Sequence, residues 1–316
     1  MNDVADAVGA AGSTGAASIA VDPVTQIVLS ISLAFTMLTV ALSLKPADFS
    51  FVRSHPVSVL IGFFAQIIAL PIVTLLVIKL LGLSAGVALG MIIVACCPGG
   101  AMSNLITKIA GGDAAYSVAL TMLSSVFSAL MLPIAILFWV MWHEPANTLI
   151  NDINIDRAKF IQDTTVILVV PLAIGLFTSW KRPALAEKLQ SRFMPISLLI
   201  LLGLIVAGIF NNSDVIVSHG AQIFPIVILH NGLAFLTGGL IGRFLLSDRL
   251  KGRALVFEVG IQNAGLGLII VMTQLGGLGD AALLVGTWSI WHLVGGFSLA
   301  ALFRKFDPVP ARVPSA

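Results

Sequence analysis

The sequence predicts an all-α polytopic membrane protein with nine transmembrane helices, and three observations predict it. Of its 316 residues, 58% are hydrophobic and only 10% are charged, against about 25% charged in an average soluble domain. Apolar runs of about 20 residues, each long enough to cross a hydrocarbon core roughly 30 Å thick, recur from residue 26 to residue 303. When these runs are threaded in alternation, the basic residues gather on one side. An open sheet in lipid would leave edge N–H and C=O groups unpaired, and the runs lack the short alternating pattern of a membrane barrel.

Residues 1–25 carry no Lys or Arg, are rich in Ala, Gly and Ser, and read as a flexible tail without the basic n-region of a cleavable signal. The spans then follow at 26–44, 57–82, 86–110, 114–141, 160–180, 193–211, 220–246, 253–275 and 279–303, with 304–316 as a cytoplasmic tail. With the N-terminus outside, the inner side takes all but Lys79, Arg157 and Lys159 of the 17 basic residues. One missed span would scramble that division. Trp139 and Trp142 fall near the outer boundary and Trp180 near the inner one, as interfacial anchors do. The net charge of +2 is scattered through short loops, which offers no patch for nucleic acid. Cys96 and Cys97 are adjacent inside an apolar run and read as small packing residues rather than a disulfide framework.

Two spans are interrupted. Span 86–110 contains Cys97-Pro98-Gly99-Gly100, and span 253–275 contains Val259-Gly260 and Asn263-Ala264-Gly265-Leu266-Gly267. Proline removes a donor and clashes with the preceding turn, and each glycine weakens a helix by about 1 kcal/mol. Broken backbone at membrane depth is tolerated only inside protein or beside a water-filled cavity, and in transporters such paired breaks mark the binding site. Each broken span is the middle of a triplet, 57–141 and 220–303. The triplets enter from opposite sides, the pattern of inverted repeats, with 26–44 matching 193–211.

Glu258 is the carboxylate set well inside an apolar run, within Phe257-Glu258-Val259-Gly260-Ile261-Gln262-Asn263. A charge at that depth costs about 2.5 kcal/mol or more, and a bound cation is the simplest offset. Unwinding the helix frees carbonyls near Val259 and Ile261, and hard cations favour carboxylate, carbonyl, amide and hydroxyl oxygens. Gln262 lies four residues beyond Glu258, Ser103 and Asn104 follow the other break, and Gln66 is a lone amide in 57–82. Ser117 and Thr121, four apart, share a helix face. Each has a plainer reading. The hydroxyls can bond their own backbone, Gln66 can join two helices, Pro98 can be a packing kink, and Glu258 can pair with a basic residue. Their joint occurrence favours one site.

Cys-Cys-Pro-Gly-Gly-Ala-Met-Ser-Asn at 96–104 and Glu-Val-Gly-Ile-Gln-Asn at 258–263 resemble the bile acid:sodium symporter family. The likeness extends over nearly all of 26–303, including Leu44 to Phe49, His230-Asn231-Gly232 and Trp291-His292. The resemblance implies a panel domain (26–44 and 160–211) and a core domain (57–141 and 220–303) in which the two broken helices cross. It also implies two Na⁺ sites, one from Ser103, Asn104, Ser117, Thr121 and Glu258. The other would use Gln66, Glu258, Val259, Ile261 and Gln262, with Val259 and Ile261 acting through main-chain oxygens. Bacterial relatives often carry ten spans, so the nine here match the animal members. Ala101 and Leu293 stand where some relatives have a hydroxyl or Asn. These departures bear on bile acid as substrate more than on sodium.

The expected activity is sodium-coupled symport of an organic anion by alternating access. It would operate in the bacterial inner membrane, embedded in lipid, with Asn263 and the half-helix N-termini facing the anion. The same fold could couple to a proton on Glu258, or bind a ligand as a sensor without moving it. A membrane enzyme is disfavoured, because the five histidines show no close metal-ligand spacing and no nucleophile elbow is present. Sterol conjugates, keto acids, pantoate-like acids and sulfonated compounds all remain open as substrate.

Overall fold

The computed structural model describes residues 23–307, apart from 154, 212 and 276. The tails expected at 1–22 and beyond 307 lie outside the described residues. Those residues are all-helical, with one isolated bridge between Gly99 and Gln262.

The chain runs through α1 (Pro23–Ser43), α2 (Pro46–Ser54) and α3 (Pro56–Leu81), the last with a π-helical turn at Ala65–Ala69. The first interrupted pair follows as α4 (Ala85–Cys96) and α5 (Ala101–Ala110). Next come α6 (Ala114–Val140), α7 (Glu144–Asp152), α8 (Arg157–Lys181), α9 (Pro183–Asn211) and α10 (Ser213–Leu245). The second interrupted pair, α11 (Arg249–Gly260) and α12 (Ala264–Gln274), leads into α13 (Gly279–Phe306). Each predicted span is helical. Among the described residues, five helices pass as membrane-crossing by length and composition (Pro56–Leu81, α6, α8, Gly220–Leu245 and α13), or up to six if α1 and α2 form one bent span. The short helices α2 and α7 stand where the hydropathy pattern offered only loops.

Local chemistry sets the boundaries. Asp113, Asp156 and Asp248 each accept two main-chain N–H groups as N-caps of α6, α8 and α11, which satisfies donors that a helix start leaves orphaned. Gly82 and Gly111 end α3 and α5 in the left-handed conformation, at φ 59° and 74°.

Lipid tails give helices no hydrophobic reason to associate, so small residues and close backbone approach decide the packing. On α10, a Cβ at Gly238 would lie 2.4 Å from the carbonyl oxygen of Leu255, and one at Gly242 would lie 2.8 Å from Gly252. This spacing of four locks α10 against α11 and fixes the height of Glu258. From α6, Tyr116 reaches across α3 to donate to the Ser58 carbonyl at 2.7 Å. Helix α1 packs chiefly against α8 and α9, and the largest apolar cluster runs through α4, α12 and α13 and takes in residues of α1, α6 and α8 as well. Exposed Leu80, Phe177 and Phe244 face outward, as lipid-facing side chains do.

Candidate cation site

The two interruptions meet. Between α4 and α5, Pro98 offers its carbonyl to the main-chain N–H of Asn263 at 2.8 Å, and Gly99 bridges Gln262 in antiparallel fashion. Each linker therefore supplies main-chain partners to the other, which is how broken helices are kept satisfied away from water. The Asn263 side-chain oxygen caps α12 through the Leu266 N–H at 3.2 Å. Gly100 begins α5 in an extended conformation.

Glu258 lies at the end of α11 and is fully buried. Its Oε1 is 2.5 Å from Ser103 Oγ, 2.5 Å from Ser117 Oγ and 3.2 Å from Thr121 Oγ1. Its Oε2 is 3.0 Å from Thr121 Oγ1 and 3.2 Å from Gln66 Nε2. All these partners are neutral, so the pairing with a basic residue entertained for Glu258 is not what the fold adopts. The hydroxyl and amide side chains turn toward the carboxylate rather than serving only their own helices.

Oxygen acceptors here outnumber the protons that can serve them. Ser117 has one hydroxyl proton, yet Asn104 Oδ1 lies at 2.8 Å in addition to Glu258 Oε1. Ser103 has one, yet the Gly100 carbonyl lies at 2.7 Å in addition to the same carboxylate oxygen. Thr121 is also 3.3 Å from Asn104 Oδ1. Gln66 donates its amide to the Glu258 carbonyl at 2.8 Å, and Gln262 donates to the Val259 carbonyl at 2.9 Å. Both glutamines are then left with buried amide oxygens that have no hydrogen-bond partner. Orphaned buried acceptors cost about 1–3 kcal/mol each. An excess of oxygen lone pairs around a carboxylate is the donor set that a hard cation fills. No cluster of three His, Cys, Asp or Glu exists among the described residues.

The structure brings together Ser103, Asn104, Ser117, Thr121, Glu258, Gln66, Val259 and Gln262. Ile261, fully buried, forms the C-cap of α11. The Val259 carbonyl accepts the Gln262 amide with one of its two lone pairs, which leaves the Gln262 Oε1 without a partner. Asn263 is half-buried, and its amide nitrogen has no hydrogen bond among the described residues.

Three contributors were missed. Thr107 lies 3.3 Å from Ser117 Oγ, and Ser124 Oγ accepts the Gly99 N–H at 3.3 Å. Both extend stripes already present in the sequence: Ser103 and Thr107 are four apart, and Ser117, Thr121 and Ser124 follow one face of α6. Asn231 on α10 donates to the Gly260 carbonyl at 2.8 Å, and no spacing connects it to the breaks.

Such a fold, with paired helix breaks meeting around a buried carboxylate, defines a polytopic α-helical membrane protein of the transporter class. Residues 30–219 match the Sodium Bile acid symporter family. The chain belongs to that family, whose members are named as sodium-dependent transporters rather than enzymes. It is 30% identical to an uncharacterized sodium-dependent transporter, YocS, of Bacillus subtilis, over 88% of this chain and 83% of that one. It is 30% identical to a probable chloroplastic sodium/metabolite cotransporter, BASS1, of Arabidopsis thaliana, over 88% of this chain and 67% of that one. It is 27% identical to the human ileal sodium/bile acid cotransporter, over 88% of this chain and 78% of that one.

Proposed function

We propose that the protein is a symporter that moves an organic anion with sodium across a bacterial plasma membrane. The observation that carries this reading is the surplus of oxygen acceptors around Glu258, including the orphaned amide oxygens of Gln66 and Gln262. Two ions share the carboxylate. One is held by Ser103, Asn104, Ser117, Thr121 and Glu258, and the other by Gln66, Glu258, Gln262 and the main chain at Val259 and Ile261. A hydroxyl can keep donating its proton to Glu258 while its lone pairs face the ion, so the cluster accepts sodium without rearranging its framework. The C-terminal end of α11 adds the negative end of a helix dipole.

Nine spans, with the N-terminus outside and the C-terminus cytoplasmic, form inverted repeats. The panel is α1, α8 and α9, and the core is α3 to α6 with α10 to α13. Sodium holds the two linkers in contact. The anion then meets the free Asn263 amide and the start of α5, and core and panel rock to alternate access. With two Na⁺ per monovalent anion, one net charge enters per cycle, and 100 mV supplies about 2.3 kcal/mol, or about fifty-fold accumulation.

The test is melting of the purified protein in NaCl against KCl at equal ionic strength, followed by uptake into proteoliposomes of any anion that stabilises it further. Stabilisation and uptake specific to sodium are expected. Uptake that follows pH and ignores sodium would reject this reading in favour of proton coupling.

A further inference from the structure

A second polar site lies at the end of the bundle where α10 stops, α11 starts and α13 stops. A cavity of about 520 Å³ opens there, and its lining includes Arg243, Arg249, Arg253 and Asp307. Three guanidinium groups thus line a cavity that holds one carboxylate, and only two of them pair with it. Arg253 is committed to structure. It is 4% exposed, donates to the carbonyls of Ala110 and Asp307 at 2.8 Å and to the Asp307 carboxylate at 2.5 Å, and stands over the Phe303 ring. Arg249 pairs with the other oxygen of Asp307 but keeps 67% of its side chain exposed. Arg243 is exposed and has no hydrogen bond or ion pair among the described residues. The nearby Asp248 carboxylate is occupied by the Leu250 and Lys251 N–H groups as the α11 cap.

Glycine builds the cavity wall. Gly239, Gly242 and Gly252 line it together with the unpaired Arg243 and the largely exposed Arg249, leaving room for a ligand. Beside it in sequence, Leu240 and Phe244 of α10 are 48% and 77% exposed, and Phe306 of α13 is 71% exposed. Guanidinium forks match phosphate oxygens in geometry and charge. Basic pockets between membrane helices hold lipid headgroups, and the adjoining apolar surface suits acyl chains.

We propose that this cavity binds the phosphate of an anionic phospholipid, gripped by Arg243 and Arg249, with the acyl chains against the outer face of α10. The site stands apart from Glu258 and does not depend on the sodium reading. The experiment titrates dioctanoyl-phosphatidylglycerol into the purified protein in neutral detergent and follows melting, with dioctanoyl-phosphatidylcholine and inorganic phosphate in parallel. A saturable rise with phosphatidylglycerol is expected, with none from the other two at the same concentrations. Arg243→Gln and Arg249→Gln should each weaken half-saturation by about tenfold, the loss of one charge-assisted hydrogen bond. Arg243→Gln should leave lipid-free melting unchanged, since Arg243 has no protein partner. An equal response to phosphatidylcholine, an equal response to inorganic phosphate, or unchanged phosphatidylglycerol binding in both variants would overturn the assignment.

Discussion

Gln66 and Glu258 are separated by 192 residues, yet the Gln66 amide donates to Glu258 twice, to its main-chain carbonyl at 2.8 Å and to its carboxylate at 3.2 Å. One side chain on α3 therefore holds both the end of α11 and the charge upon it. Gln66→Ala removes both contacts and one of the orphaned oxygens. Glu258→Gln keeps the shape and removes the charge. Loss of one ligand is expected to weaken sodium binding by about tenfold or more, read from the sodium dependence of melting. Glu258→Gln should abolish the sodium response altogether. A full response in both variants would remove Glu258 from the site.

Gly99 tests how tightly the cluster is built. A Cβ there would lie 2.8 Å from Glu258 Oε2 and 3.2 Å from Gln66 Nε2. Gly99→Ala must push the carboxylate away from its partners, and overpacking of this kind costs about 1–3 kcal/mol. Lower sodium-free melting together with loss of the sodium response is expected. Intact sodium stabilisation in Gly99→Ala would mean the carboxylate has more room than its neighbours imply.

The helical class was legible because composition and run length leave a membrane chain few options, and the two breaks were legible because Pro98, Gly99, Gly260 and Gly265 interrupt otherwise continuous runs. Glu258 stood out by the cost of its charge. The partnership of Asn231 with Gly260 was not legible, since it depends on how α10 and α11 meet across the Gly238 and Gly242 face. Nor was the donor direction of Gln262, because unwinding at Ile261 turns its amide back on Val259. The helices α2 and α7 escaped because a polar helix of nine residues has no apolar run to reveal it.

Asn231 acts on the site through the backbone. Its 2.8 Å bond to the Gly260 carbonyl holds the last turn of α11 open. Asn231→Ala leaves that carbonyl buried and unpaired, at about 1–3 kcal/mol. Reduced stability and a higher sodium concentration for half-maximal response are expected, while saturating sodium still restores uptake. Loss of uptake that sodium cannot restore would assign Asn231 a role beyond positioning.

His143 supplies a pH dependence outside the spans. Its Nδ1 accepts the Ala146 N–H at 3.3 Å as the cap of α7, which requires the unprotonated ring. Burial, and then the charge of Lys79, lower its pKa from 6.5. The unfolded chain therefore takes up the proton first as pH falls below 6.5, and stability present above that value is progressively lost toward the lower folded pKa. His143→Asn keeps a capping oxygen that does not titrate. Melting of the native protein should fall as the pH drops below about 6.5, and His143→Asn should flatten that part of the curve. Identical acid curves would place the sensitivity elsewhere.

Pro71 explains why Gln66 points where it does. A proline at 71 has no N–H to give the carbonyl of Ile67, and its ring would collide with that carbonyl in a regular α-helix. The chain answers with the π-helical turn at Ala65–Ala69, closed by the Leu70 N–H on the Ala65 carbonyl. Such turns insert one extra residue and recur at functional sites. Restoring a regular ladder would rotate Gln66 by about 100° relative to the rest of α3, away from Glu258. Pro71→Ala is therefore expected to raise sodium-free melting, because proline disfavours a helix interior by about 3 kcal/mol, and at the same time to weaken the sodium response as Gln66→Ala does. The opposite signs separate a misplaced ligand from a general loss of stability. If both melting and the sodium response stayed unchanged, the contacts of α3 with α11 rather than Pro71 would be what holds the π turn.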